Sequence, residues 1–128
     1  MNTAIKTKKA PGAIGPYSQA IKAGKTIYVS GQLGINPKTG DFDADDIIVQ
    51  TKQAIDNIES ILKKAKYSLN DVVKTTVLLK DIKEFNNMND EYTKHFKEPF
   101  PARAAFQVAA LPKGGRVEIE AIAVKKNI

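Results

Sequence analysis

The chain has no cysteine, no tryptophan, one histidine (His95) and two methionines in 128 residues. Without thiols there is no disulfide, no thiolate nucleophile, no cysteine-based zinc site and no iron–sulfur cluster. A lone histidine argues against a histidine-rich metal site and against a Ser-His-Asp triad. No apolar run approaches the ~18 residues of a membrane-spanning helix. In the opening MNTAIKTKKAPG, Ile5 is the sole large aliphatic residue after Met1, too little for the apolar stretch of a signal peptide. A cytoplasmic protein with no membrane partner is the expectation.

What is present suits a folded chain. Hydrophobic residues make up 42% and charged residues 27%, too apolar and too balanced for disorder. At about 150 residues per domain, residues 1–128 form one domain. A chain of this size buries about two-thirds of its unfolded surface, so it folds without cross-links. The net charge of +6 is spread over three lysine clusters: Lys6, Lys8 and Lys9; Lys63, Lys64 and Lys66; Lys125 and Lys126. Acids are interleaved and stacking aromatics are not, which reads as solvated surface and argues against nucleic acid as a partner.

Patterning predicts the order β-β-β-α-β-α-β-β. Thr3 to Lys8 reads as an edge strand, and 17–22 and 26–30 as strands joined at Ala23-Gly24-Lys25. Residues 31–46, with Gly31, Gly34, Pro37 and Gly40, read as a connection too turn-rich for an element. From Ile47 to Lys66 the period is helical: Ile48, Ile55, Ile58, Leu62 and Ala65 share a face, and Asp45 or Asp46 is the cap. Residues 72–80 read as a strand. Asp81 to Glu84 resembles a capping box opening a second helix to about Lys97. Residues 103–110 and 116–125 read as a final hairpin about LPKGG. This is an α+β arrangement, a mixed six-stranded sheet with two helices packed on one face. Several strands are apolar on both faces: Val73, Val77 and Leu79 oppose Val72 and Leu78, and Val117, Ile119, Ala121 and Ala123 oppose Ile122 and Val124. Two helices cover one face, so a second copy of the chain is expected over the other.

Some residues sit oddly for stability alone. Asn89 interrupts the helical stripe Phe85, Tyr92 and Phe96, where it is either a satisfied edge amide or the lining of a polar pocket. Arg103 opens the apolar run AAFQVAAL behind two prolines, and its planar fork suits either an edge ion pair or a substrate carboxylate. Glu118 and Glu120 share one face of VEIEAIAV, which is either a solvated strand start or the place of a general acid/base. Ser30-Gly31 follows a strand and Tyr17 follows a rigid Gly-Pro. His95, within TKHFK, reads as an exposed helical residue.

Taken together, GPYSQAI (15–21), VSGQLGINPKTG (29–40), VVKTTVLLKDI (72–82), FPAR (100–103) and VEIEAIAV (117–124) closely resemble the RidA/YjgF family from about Ala10 to Lys125. The resemblance implies a chorismate-mutase-like fold and a homotrimer, with sheets forming a central barrel and ligand clefts between subunits. It implies hydrolysis of reactive enamines and imines, such as 2-aminoacrylate and 2-imino acids, to 2-keto acids and ammonia, with no cofactor or metal. By position it gives Arg103 the carboxylate, Glu118 the acid–base role, and Tyr17, Ser30, Gly31, Asn89 and the Ala105 backbone N–H the substrate. The family often has cysteine where this chain has Ala105, so only the backbone group can act there. Two other readings follow from relatives or from the same cleft: a non-catalytic 2-keto-acid binding module, and an endoribonuclease or translation inhibitor.

Geometry constrains this assignment. In a plain hairpin Arg103 stands opposite residues 123–125, on the order of 17–24 Å from Glu118. A bulge, another register or a neighbouring subunit must close the gap, and a cleft between subunits is the expected answer.

Overall fold

The alternation in VEIEAIAV sets the architecture. In the computed structural model, which describes residues 2–125, it forms strand β8 (Val117–Val124). Val117, Ile119, Ala121 and Ala123 are buried, and the intervening side chains face the other way. Such a strand belongs at the centre of a sheet, and β8 lies there.

The preceding elements are β1 (Thr3–Ile5), β2 (Ala20–Ala23), β3 (Thr26–Leu33), β4 (Ile35–Asn36), β5 (Asp41–Phe42), α1 (Ile47–Lys64), β6 (Val72–Leu79), α2 (Phe85–Thr93) and β7 (Ala102–Gln107). Six strands form one sheet in the order β1-β2-β3-β8-β6-β7, and β4 pairs with β5 apart from it. Every neighbour in the six-stranded sheet is antiparallel except β6 and β7, which run parallel. Helix α1 lies across β3 and β8, and α2 packs on α1. The Tyr92 hydroxyl of α2 meets the Thr75 hydroxyl of β6 at 2.7 Å, so both helices cover the same face. Ile27, Ile55, Ile58, Ile61, Leu62, Leu79 and Ile119 form the fully buried centre. Each contributes about 1.5–3 kcal/mol through burial. Among the described residues, no helix is long and apolar enough to cross a membrane.

Several expectations are corrected. β7 and β8 do not form a hairpin: β8 inserts between β3 and β6, and β7 takes the edge beside β6. The burial pattern explains it, because β8 is apolar on alternate positions throughout whereas β7 is largely exposed. The strand expected over 17–22 starts only at Ala20, because Gln19 is withdrawn to bond Thr7, Ala10 and Pro11. The edge strand expected over 3–8 ends at Ile5. The connection 31–46 holds the end of β3 and the small β4–β5 pair. A bulge between Val72 and Lys74 turns Val72 into the core and leaves Val73 47% exposed. Ile48 is exposed, and Ile47, Gln50, Thr51 and Asn57 complete the buried face of α1, which Asp46 caps. Asp81 caps a 3-10 turn over Ile82–Glu84 instead of closing a box, since Glu84 bonds Arg116; the box occurs at Ser68 and Asp71. Helix α2 stops at Thr93, where the Lys94 and His95 N–H groups tighten to carbonyls three residues back. His95 is not exposed: its side chain meets Glu91 at 2.7 Å, and both are largely covered. Lys126 of the third lysine cluster lies outside the described residues.

Candidate functional site in two halves

Arg103 leaves β7 on the helix-covered face. Its register partner on β6 is Thr75, whose side chain is fully buried beneath α2. One guanidinium nitrogen, Nη1, donates to Asn89 Oδ1 at 2.7 Å. The guanidinium carbon lies 4.8 Å from the Tyr92 ring centre and 5.3 Å from that of Phe85. Phe85, Asn89 and Tyr92 are spaced i, i+4, i+7, so one stripe of α2 presents an amide between two rings. The sequence marks this stripe but not its purpose; the interruption by Asn89 was the available signal. Among the described residues no carboxylate forms an ion pair with Arg103. The guanidinium opens into a cleft of about 380 Å3, with Phe100, Pro101 and Thr93 as its other walls.

Ala105 stands two residues on along β7. The Val108 N–H donates to the Leu79 carbonyl at 2.9 Å. Strand alternation turns the Ala104 and Phe106 N–H groups toward β6 and leaves those of Arg103 and Ala105 on the open edge.

Glu118 belongs to the opposite face. It pairs in register with Leu33 and Leu78, away from the helices. The ladder between β3 and β8 is irregular between Val29 and Gln32, where Ser30 and Gly31 face one residue, Glu120. There Gly31 approaches Glu118 so closely that a methyl group on it would sit 2.8 Å from a carboxylate oxygen. Burial pushes the Glu118 carboxyl above the usual carboxylate range, and the neighbouring Glu120 charge adds to the shift. The Ser30 hydroxyl donates to the Ser18 carbonyl at 2.6 Å, tying this bulge to the loop that carries Tyr17. Tyr17 is half exposed and lines a separate cleft with Lys6, Lys8, Lys9 and Lys64.

The candidate residues therefore fall into two groups. Arg103, Asn89 and the Ala105 N–H form one; Ser30, Gly31 and Glu118, with Tyr17 nearby in the chain, form the other. By strand spacing and rise, the Arg103 and Glu118 backbones are about 14 Å apart, with side chains on opposite faces. Among the described residues, no three His, Asp or Glu side chains gather as metal ligands.

The open face also carries exposed Tyr28, Phe106 and Val124 beside half-buried Leu33, Leu78 and Ile122. Fold and half-sites together define a small α+β protein with one helix-covered and one bare sheet face, each bearing part of a polar site. The chain belongs to the family described as Endoribonuclease L-PSP, the RidA/YjgF family, whose model matches residues 7–125. It is 55% identical over 121 residues to a Homo sapiens protein named 2-iminobutanoate/2-iminopropanoate deaminase, covering 94% of this chain and 88% of that one. It is 52% identical over 126 residues to a RutC family protein of Pyrococcus horikoshii, covering 98% and 100%. Among solved structures, RidA from an Antarctic Psychrobacter superimposes with a TM-score of 0.92 at 50% identity, covering 96% of this chain and 99% of that one. E. coli TdcF, solved with bound serine, gives 0.92 at 39% identity, covering 97% and 99%.

Proposed function

We propose that this chain hydrolyses reactive 2-imino acids and their enamine tautomers, such as 2-aminoacrylate, to 2-keto acids and ammonia. Arg103 carries the reading: its fork is held by Asn89 and is not paired with a carboxylate of the described chain. A planar guanidinium with open donors suits a small carboxylate in two parallel bonds. The relative with bound serine, which bears such a carboxylate, is consistent with this.

The chemistry is modest. Arg103 and the edge N–H of Ala105 orient the substrate, and Tyr17, Ser30, Gly31 and Asn89 shape its surroundings. Glu118 accepts a proton from water as the water oxygen bonds to the C=N carbon. The same carboxyl returns that proton to nitrogen, giving the carbinolamine. It then takes the carbinol O–H proton and passes it to the amine as the carbon–nitrogen bond breaks, so that keto acid and ammonia leave and the carboxylate is restored. A carboxylate lifted above its usual range is the better base for this. Positioning and proton transfer supply the rate, with no cofactor or metal.

The two half-sites belong to different subunits in this reading. The chain acts as one domain in a cytoplasmic homotrimer, with the bare sheet faces forming a central barrel of the chorismate-mutase-like kind. The apolar side chains on that face are the support. The test is loss of 2-iminopropanoate with purified protein. Wild type is expected to outpace buffer, with kcat/KM falling ~100-fold in Arg103→Ala. Keto-acid binding without faster hydrolysis would replace catalysis by a binding role, and the absence of both binding and hydrolysis would overturn the reading.

A further inference from the structure

Arg103 is held by more than its hydrogen bond. A long cationic side chain at an edge strand ordinarily samples many rotamers, at an entropy cost of up to about 2 kcal/mol when it is fixed. Here two rings flank it. The Phe85 ring is half-buried, whereas Tyr92 is only 4% exposed and is fixed from both ends. Its ring lies 4.6 Å from that of Phe96, and its hydroxyl meets Thr75 Oγ1 at 2.7 Å. Thr75 is the register partner of Arg103. The residue paired with the arginine across the ladder therefore also anchors the ring beside its far end.

We propose that Tyr92, pinned by Thr75, is a positioning residue that fixes the plane of the Arg103 guanidinium, with Phe85 as the second wall and Asn89 setting its rotation. The purpose, presenting a ready-made fork to a substrate carboxylate, rests on the deaminase reading; the immobility of the side chain does not. Face contacts of guanidinium with aromatic rings are worth about 0.5–2 kcal/mol, more where water is excluded. A fixed fork loses less freedom when it binds.

The chain contains only two arginines, Arg103 and Arg116. Arg116 is clamped by Asp45 and Glu84 at 2.7 and 2.8 Å and serves as an internal standard. Nitrogen-15 relaxation of the two Nε–H groups in full-length protein is the experiment. Arg103 is expected to be nearly as ordered as Arg116 in wild type and slightly less ordered in Tyr92→Phe, which keeps the ring but loses its bond to Thr75. In Tyr92→Leu it should become mobile while Arg116 does not change. Should Tyr92→Leu fail to fold, Phe85→Leu, at a half-buried site, is read in its place and should also loosen Arg103. In the imine assay, Tyr92→Leu should raise KM about 3–30-fold with kcat within about twofold, the change expected from a contact of this size made equally in ground and transition states. An Arg103 signal already mobile in wild type, or unmoved by both leucine variants, overturns the proposal even if the enzyme is active. An ordered Arg103 in an inactive protein leaves the proposal standing and removes the deaminase reading alone.

Discussion

Arg103 and Glu118 project from opposite faces of one sheet. Arg103 shares its register with buried Thr75 on the helix side, and Glu118 pairs with Leu33 and Leu78 on the bare side. No rotamer change brings them to one small molecule within a chain, because a pleated strand fixes which face each side chain takes. In the proposed reaction the two groups therefore come from two chains.

Gly31 is the first place to test the Glu118 half. A methyl group there would lie 2.8 Å from Oε2 and 2.9 Å from the carboxylate carbon of Glu118. Gly31→Ala is expected to push the carboxylate aside and lower kcat ~10–100-fold, the usual cost of about an ångström of misplacement. The check is steady-state imine hydrolysis at saturating substrate. An unchanged kcat would show that the position of Glu118 is immaterial.

Glu120 is expected to help set the acid side of the pH profile of the proposed reaction. The Glu118 carboxyl is raised first by burial and then by the Glu120 charge. A base must be deprotonated, so the rate falls as pH drops through the Glu118 pKa. Glu120→Gln removes one cause, and the acid limb should move to lower pH. The same raised pKa means that the folded state holds this proton more tightly than the unfolded chain. Its contribution to stability is therefore favourable on the acid side and is lost as pH rises through the window above the ordinary Glu value. Glu118→Gln should accordingly be inactive yet at least as stable as wild type at neutral pH. A limb that stays in place in Glu120→Gln would contradict the electrostatic account.

Asn57 is a test of the scaffold. It is fully buried in α1, and its Nδ2 donates to the Leu33 and Ile35 carbonyls at 3.2 and 2.9 Å. It stitches the end of β3, next to the Ser30-Gly31 bulge, to the helix. Asn57→Ala strands those carbonyls, and unfolding in urea should show a loss of ~2–4 kcal/mol with little change in slope. A loss below about 0.5 kcal/mol would mean that water replaces the amide.

Much of this was legible because periodicity is a local property. The period-2 pattern of 117–124 and the apolar stripe of α1 emerge directly as β8 and the α1 core face. Partnership between strands is not local. The short LPKGG link invited a hairpin, but β8 needed a neighbour on both edges and β7 did not, so β6 became the common partner. Bulges are equally invisible, since an extra residue at Val73 or at Ser30-Gly31 changes face without changing composition. At the site, Arg103 and Asn89 each stood out as polar residues in apolar runs. Tyr92 and Thr75 did not, because an aromatic on a helix stripe and a threonine in a strand look like ordinary core. His95 misled for the opposite reason: flanking lysines suggest exposure, whereas its bond to Glu91 draws it inward.

Mixing two inactive variants probes the division of the site between chains most directly. Arg103→Ala and Glu118→Gln proteins are each expected to be inactive. Unfolded together and refolded as mixed assemblies of the proposed trimer, they should regain roughly a quarter of wild-type activity, because random assembly joins an intact arginine from one chain to an intact glutamate from its neighbour at that frequency. Recovery near that level supports a site shared between subunits. Mixed trimers of confirmed composition with no more activity than either parent would contradict it.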